Sequence, residues 1–231
     1  MSTPPPTLAE IEQQLQSSEQ KDRILALLAL QAESTPALTA FPLLKRTLSD
    51  ESVQVRGMAA FALGIKPTDE NWALLVEVMT TDPDYNVRAI AAGALGYLED
   101  KRAFEALRHA FYEDSYWLVP FSAAVALGNL KDPRAQTVLL EALESSETLY
   151  QQAAVMALGE IGAVETLDRL LPFVNSPDWL MRKQLAEALA NLPDPRSEAA
   201  LDYLRKDDNA QVAEAATRSR QKLREVSQTI D

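Results

Sequence analysis

Four copies of one tripeptide, Ala62-Leu63-Gly64, Ala94-Leu95-Gly96, Ala126-Leu127-Gly128 and Ala157-Leu158-Gly159, recur at steps of 32, 32 and 31 residues. A fifth copy reads Ala188-Leu189-Ala190. A fixed period of this length signals an array of supersecondary units, none of which can bury its apolar face alone. Eight residues before each closing position stand Arg56, Arg88, Pro120, Gln151 and Arg182, and the same period extends outward to Arg23 and Ala213. Seven units therefore fit the chain.

Each unit opens alike. Six residues before the arginine position lie Ser17, Asp50, Asp82, Asp114, Ser145, Ser176 and Asp207. Their side-chain oxygens suit helix N-caps, with Pro83 and Pro177 just inside the first turn. From cap to closing glycine the spacing predicts one helix of about four turns, ended where glycine permits a left-handed backbone. A second apolar-periodic stretch precedes each cap, as in residues 72–79 and 103–107. Asp100, Asp132 and Asp194 suit caps for these first helices, and Thr7 with Glu10 forms a capping box opening a helix near Leu8. Each unit is thus a helical hairpin, and no strand pattern competes. The fold class expected is all-α, a right-handed alpha solenoid of about seven hairpins over residues 8–226. A disordered amino-terminal tail is expected at 1–7 and a carboxy-terminal tail at 227–231.

The chain contains no cysteine and one histidine, His109, which removes disulfides, thiolate metal sites, paired-histidine metal sites and most histidine–nucleophile pairs. No catalytic residue and no metal ligand is expected. Thirty-four acidic against 22 basic residues give a formal net charge of −12, which argues against a nucleic-acid partner, whose phosphates call for clustered cations. The longest apolar run is far shorter than the ~20 residues of a membrane helix. Membrane insertion is not expected, and without a signal-like leader the expected location is the cytoplasm or a plastid stroma.

With the arginine position as zero and about 100° per residue, the recurring residues of each second helix share one arc, and the variable ones face the opposite side. Those variable positions hold Gln54, Gly57, Met58 and Phe61; Asn86, Ala89, Ile90 and Gly93; Leu118, Phe121, Ser122 and Val125; Leu149, Gln152, Ala153 and Met156. A surface with Met58, Phe61, Ile90, Leu118, Phe121, Val125 and Met156 on it is costly to leave in water and marks a contact site. Tyr85, Trp117 and Trp179 share the position three before the arginine site, and Tyr116 lies beside them. These aromatics complete the candidate partner-binding set. Arg56 and Arg88, with Asp84, are candidate anion contacts, although arginines recurring with the fold more often pair with loop carboxylates such as Asp50, Asp82 or Asp84.

The element Asp-x-x-x-x-Val-Arg-x-x-Ala-x-x-Ala-Leu-Gly, present at 50–64 and 82–96, resembles the HEAT repeat, in particular the short form of phycobilisome lyase-type proteins. That resemblance implies second helices lining a concave groove. It also implies one of three roles: an adaptor binding a phycobiliprotein or other component of the photosynthetic apparatus during assembly, repair or turnover; a component of a phycobilin lyase or isomerase; or an adaptor for cofactor assembly on another protein. The first, non-enzymatic role is the expectation. It involves no resident cofactor, and the second role involves a transiently bound phycobilin, with Asp84 for the pyrrole nitrogens, Arg88 for the propionates, and Tyr85 and Trp117 as walls. A HEAT-type metal hydroxylase is excluded by its missing His-Glu motifs, and a HEAT-like DNA glycosylase is disfavoured by charge.

Overall fold

The computed structural model describes residues 6–230, with side chains through 225. Among the described residues there is no strand. Seven helical hairpins follow one another: α1 (Leu8–Leu15) with α2 (Gln20–Gln31), α3 (Ala37–Thr47) with α4 (Val53–Ile65), α5 (Asn71–Thr81) with α6 (Tyr85–Leu98), α7 (Phe104–Glu113) with α8 (Leu118–Asn129), α9 (Ala135–Leu143) with α10 (Thr148–Ile161), α11 (Leu167–Leu170) with α12 (Trp179–Leu189), and α13 (Pro195–Leu204) with α14 (Ala210–Ile230). Short 3-10 turns precede α7 and flank α11. Expected residues 1–5 and 231 of the tails lie outside the described residues. Thr7 caps α1 with the anticipated box, and α14 continues beyond position 226.

The chain divides into two compact units, Met1–Ala126 and Leu127–Asp231. In the first, the second helices stack in order, α2 on α4 and α4 on α6, with α3 and α5 behind them. In the second, α10 packs on α12 and α12 on α14, backed by α9 and α13. The core is made of the recurring positions. Val55, Ala59, Ala60, Ala62 and Leu63 of α4 are fully buried, as are Ala154, Val155 and Leu158 of α10. Such alanine-rich faces let helix axes approach closely, and each buried methylene adds to stability by removing apolar area from water.

Two details of the expected hairpin are corrected. The closing glycines do not end their helices: α4 runs past Gly64 and α10 past Gly159. They are points of contact instead. A Cβ on Gly64 would lie 2.8 Å from the Ala94 Cβ, one on Gly128 2.5 Å from that of Ala157, and one on Gly159 2.6 Å from that of Ala188. The left-handed residues come three positions later, at Glu99, Lys131 and Gly162. The expected N-caps also shift. The caps of α4, α6 and α12 are Ser52, Asp84 and Asp178, two residues beyond Asp50, Asp82 and Ser176, so Pro83 and Pro177 lie in the turns outside the helices. The residues expected as caps accept instead from the amide two positions on, as Asp50 does from Ser52 at 2.8 Å, Asp82 from Asp84 at 2.9 Å and Ser176 from Asp178 at 3.2 Å. Such local side-chain turns are what Asp and Ser favour outside helices. Asp194 does cap its first helix, Asp100 caps the 3-10 turn that leads into α7, and Asp132 accepts from the Arg134 amide at 3.0 Å.

Candidate functional site

The arginines have structural partners. The Arg56 Nε and a terminal nitrogen donate to the two Asp82 oxygens at 2.7 and 3.0 Å, and the other terminal nitrogen donates to the Asp50 carbonyl at 3.0 Å. Arg88 repeats this on Asp114 at 2.7 and 3.2 Å and on the Asp82 carbonyl at 2.9 Å. Arg23 reaches Asp50 at 2.8 Å, and Arg182 reaches Asp207 at 2.7 and 2.9 Å. Each arginine thus closes its own turn and bridges to the next hairpin, in the forked geometry that makes arginine–carboxylate pairs strong. Burial pushes the Asp82 and Asp114 carboxyls up, but the arginine hydrogen bonds, the turn amides and the guanidinium charges outweigh it and hold both below the ordinary range. At Asp207 the Arg182 hydrogen bond dominates, and the carboxyl is likewise lowered. The guanidinium edges of Arg56 and Arg88 are committed to these rungs, and Asp84 caps α6 by accepting from the Asn86 amide at 2.8 Å.

Beside the ladder, the variable faces of α2, α4 and α6 form an open groove of about 840 Å³. Met58, Phe61 and Ile90, all anticipated, meet there with Gln54, Gly57 and Asn86. Phe61 is 39% exposed and Ile90 38%; Met58 is half-buried. Tyr97 stands edge-on to Phe61, with ring centroids 6.0 Å apart. The lining includes one carboxylate, Asp84, and no cation.

HEAT repeats match the chain over residues 72–149 and 137–220. The chain belongs to the HEAT repeat family. No curated protein matches it. Among solved structures, this HEAT chain is similar to one in the complex of CpcE and CpcF of phycocyanin lyase from Nostoc sp. PCC7120, at 23% identity and a TM-score of 0.64, over 76% of this chain and 73% of that one. A chain from a structure of Kap95p bound to RanGDP matches at 17% identity and a TM-score of 0.61, over 97% of this chain and 36% of the other. An engineered protein matches at 22% identity and a TM-score of 0.55, over 94% and 68%. At these identities the likeness is one of fold.

The other anticipated contact residues of this HEAT protein lie elsewhere. Tyr85 and Tyr116 stack in parallel at 4.8 Å, the Arg88 guanidinium lies 5.5 Å from the Tyr116 ring, and Trp117 meets Phe121 at 6.3 Å in an edge contact. This aromatic cluster sits at the amino-terminal ends of α6 and α8. Leu118, Phe121 and Val125 are half-buried on α8. Met156, 41% exposed, and Trp179, 38% exposed, belong to the other compact unit, on α10 and α12. Of the positions assigned to the groove face by helical phase, Gly57 is buried yet lines the groove, and Ala89, Gln152 and Ala153 are buried. The reason is visible at Gly57, where an added Cβ would lie 2.9 Å from the Ile90 side chain: the position after the arginine packs on the next hairpin.

Reading each helix separately misses residues that a neighbouring helix contributes, here Ile24 and Gln31 of α2, and Val53 at the start of α4 is missed as well. It also misses a second set of ion pairs. Arg102 folds back on Asp100 and reaches Asp69 at 2.8 Å, and Arg196 folds back on Asp194 and reaches Asp168 at 2.8 Å. The signal was a recurring Asp-x-Arg at 100–102, 132–134 and 194–196. His109 is exposed on α7. Among the described residues no cluster of His, Asp or Glu suits a metal ion, and no helix is long and apolar enough to cross a membrane.

Proposed function

We propose that this HEAT protein is an interaction module that binds a protein partner through the α2–α4–α6 groove and acts as an adaptor. The observation that carries the reading is an apolar groove of about 840 Å³ without a cation in its lining. Covering Phe61, Met58 and Ile90 with a partner gains about 25 cal/mol per Å² of apolar surface removed from water. The likeness to the chain of the phycocyanin lyase complex supports a partner in the phycobilisome or photosynthetic apparatus, met during assembly, repair or turnover. Affinity purification from a photosynthetic extract, with mass spectrometry, tests this. A defined partner is expected with the wild type and is lost with Phe61→Glu, and retention of every partner by that variant overturns the groove.

The same likeness supports a second reading, a component of a bilin lyase or isomerase. Propionates call for cations, and the two arginines anticipated for them are held by Asp82 and Asp114, which favours the adaptor. Mixing the purified protein with phycocyanobilin and an apo-phycobiliprotein decides the matter: an absorbance change and a covalent adduct support the lyase reading, and neither is expected.

A further inference from the structure

We propose that the occupant of the α2–α4–α6 groove is an amphipathic helix of the partner, apolar along one face and carrying lysine or arginine beside that face at its amino-terminal end. The inference rests on the groove being the binding surface, and adds what fits it. Ile24 on α2, Val53 and Phe61 on α4 and Ile90 on α6 line the groove, the last three exposed by 37, 39 and 38%, and give an apolar stripe that steps from helix to helix. A helix presents such a stripe through anchors at i, i+3, i+4 and i+7. An extended peptide gains its affinity by joining a sheet edge, and the described residues contain no strand.

Charge fixes which helix. Of the cations at this end of the second helices, Arg23, Arg56 and Arg88 are bridged to Asp50, Asp82 and Asp114, and Lys21, exposed in the first turn of α2, is flanked in sequence by Glu19 and Asp22. Asp84 remains in the lining, and the Glu51 side chain, though 3.5 Å from Arg23, is 86% exposed. The rim at the amino-terminal ends of α4 and α6 is therefore acidic and complements a basic flank. A helix carries the partial positive charge of its dipole at its amino terminus, so the occupant points its amino end at Asp84.

Three fluorescein-labelled peptides of about 18 residues, roughly five helical turns, test this with the full chain by anisotropy at physiological salt: leucine and lysine in helical period, leucine and glutamate in the same period, and leucine and lysine scrambled. The periodic leucine–lysine peptide is expected to bind at least about tenfold more tightly than either control, a difference equivalent to one decade in Kd. Phe61→Glu is expected to remove that advantage, Glu51→Lys to reduce it about threefold, and Leu149→Glu, in the other unit, to leave it unchanged. Should Phe61→Glu lose its helical circular dichroism, Val53→Gln, at an exposed position of the same lining, gives the same reading. Equal binding of the scrambled peptide, or undiminished binding by Phe61→Glu, reduces the effect to general attraction for cations and overturns the proposal. A partner that is lost with Phe61→Glu but cross-links to the groove through an acidic or non-helical segment overturns this inference alone and leaves the adaptor reading standing.

Discussion

The two compact units solve the same joining problem differently. In the amino-terminal unit α2, α4 and α6 each send an arginine to the aspartate of the next turn, giving the rungs Arg23–Asp50, Arg56–Asp82 and Arg88–Asp114, while α8 has Pro120 in that position. The carboxy-terminal unit has one such rung, Arg182–Asp207. Where it has Gln151 in the arginine position, that side chain donates to its own Leu143 and Ser145 carbonyls at 3.3 and 2.8 Å. The bridge forward comes from the neighbouring Gln152 to Asp178, at 2.7 Å. The acceptor position changes with the donor, because the residue after Gln151 in the ladder is Ser176 and not aspartate. An arginine does two jobs, closing its own turn and bridging forward, and a glutamine does the first. A half-buried aspartate is kept where a guanidinium neutralises it, since an unpaired buried charge costs several kcal/mol.

The largest effect should come from removing one half of a rung. Arg56→Gln leaves the Asp82 carboxylate without its guanidinium and is expected to cost about 3 kcal/mol in urea unfolding, because the two side chains are 12 and 7% exposed and the penalty is that of a broken buried pair. Adding Asp82→Ser reproduces the Gln151–Ser176 pairing in the amino-terminal unit, without the Gln152 bridge, since Gly57 stands in that position. The double variant should recover about 1–2 kcal/mol of that loss, the coupling expected of directly bonded residues. Additive losses would break the idea that donor and acceptor change together.

Acid sharpens the contrast by region. The Asp82, Asp114 and Asp207 carboxyls are lowered in the folded protein. Their contribution is therefore fully present above the unfolded carboxylate value of about 4 and is lost as pH falls through the lower folded values. Hydrogen exchange should show protection of α4 and α6 unchanged from neutral pH to about 5 and falling below about 4, with α10 losing less. Equal acid loss in α10 would show that the rungs do not set the response.

The smallest effect is a gain. Gln151→Arg with Ser176→Asp installs a rung in the carboxy-terminal unit and is expected to add about 1 kcal/mol, the net worth of a hydrogen bond to a charged group after desolvation. A thermal melt of the double variant measures it, and a lowered melting temperature would show that Gln152–Asp178 already occupies the space.

Period and composition made the seven hairpins, the second-helix core and the apolar face legible in the chain. The ladder was legible only in outline. Arginine recurrence pointed to loop carboxylates, but which one depends on the turn geometry that moved the caps from Asp50 and Asp82 to Ser52 and Asp84. The groove was half legible for a similar reason. A helical wheel assigns Met58, Phe61 and Ile90 to one face, yet it treats each helix as isolated. It cannot see that Gly57 is covered by Ile90, nor that Ile24 and Gln31 arrive from α2. The aromatic positions at Tyr85, Trp117 and Trp179 share a phase, but phase does not name the ring each one meets: Tyr85 stacks on Tyr116 and Trp117 meets Phe121 edge-on.

At Gly64, Gly128 and Gly159 the main chain of one hairpin rests directly against the Ala94, Ala157 and Ala188 backbone of the next. The step between hairpins is consequently set by glycine against alanine, a ruler that lengthens if either one gains bulk. Residues that look outward from the second helices are then free to diverge in evolution while the frame beneath them keeps its dimensions, so one scaffold can be re-addressed to new partners without being re-engineered.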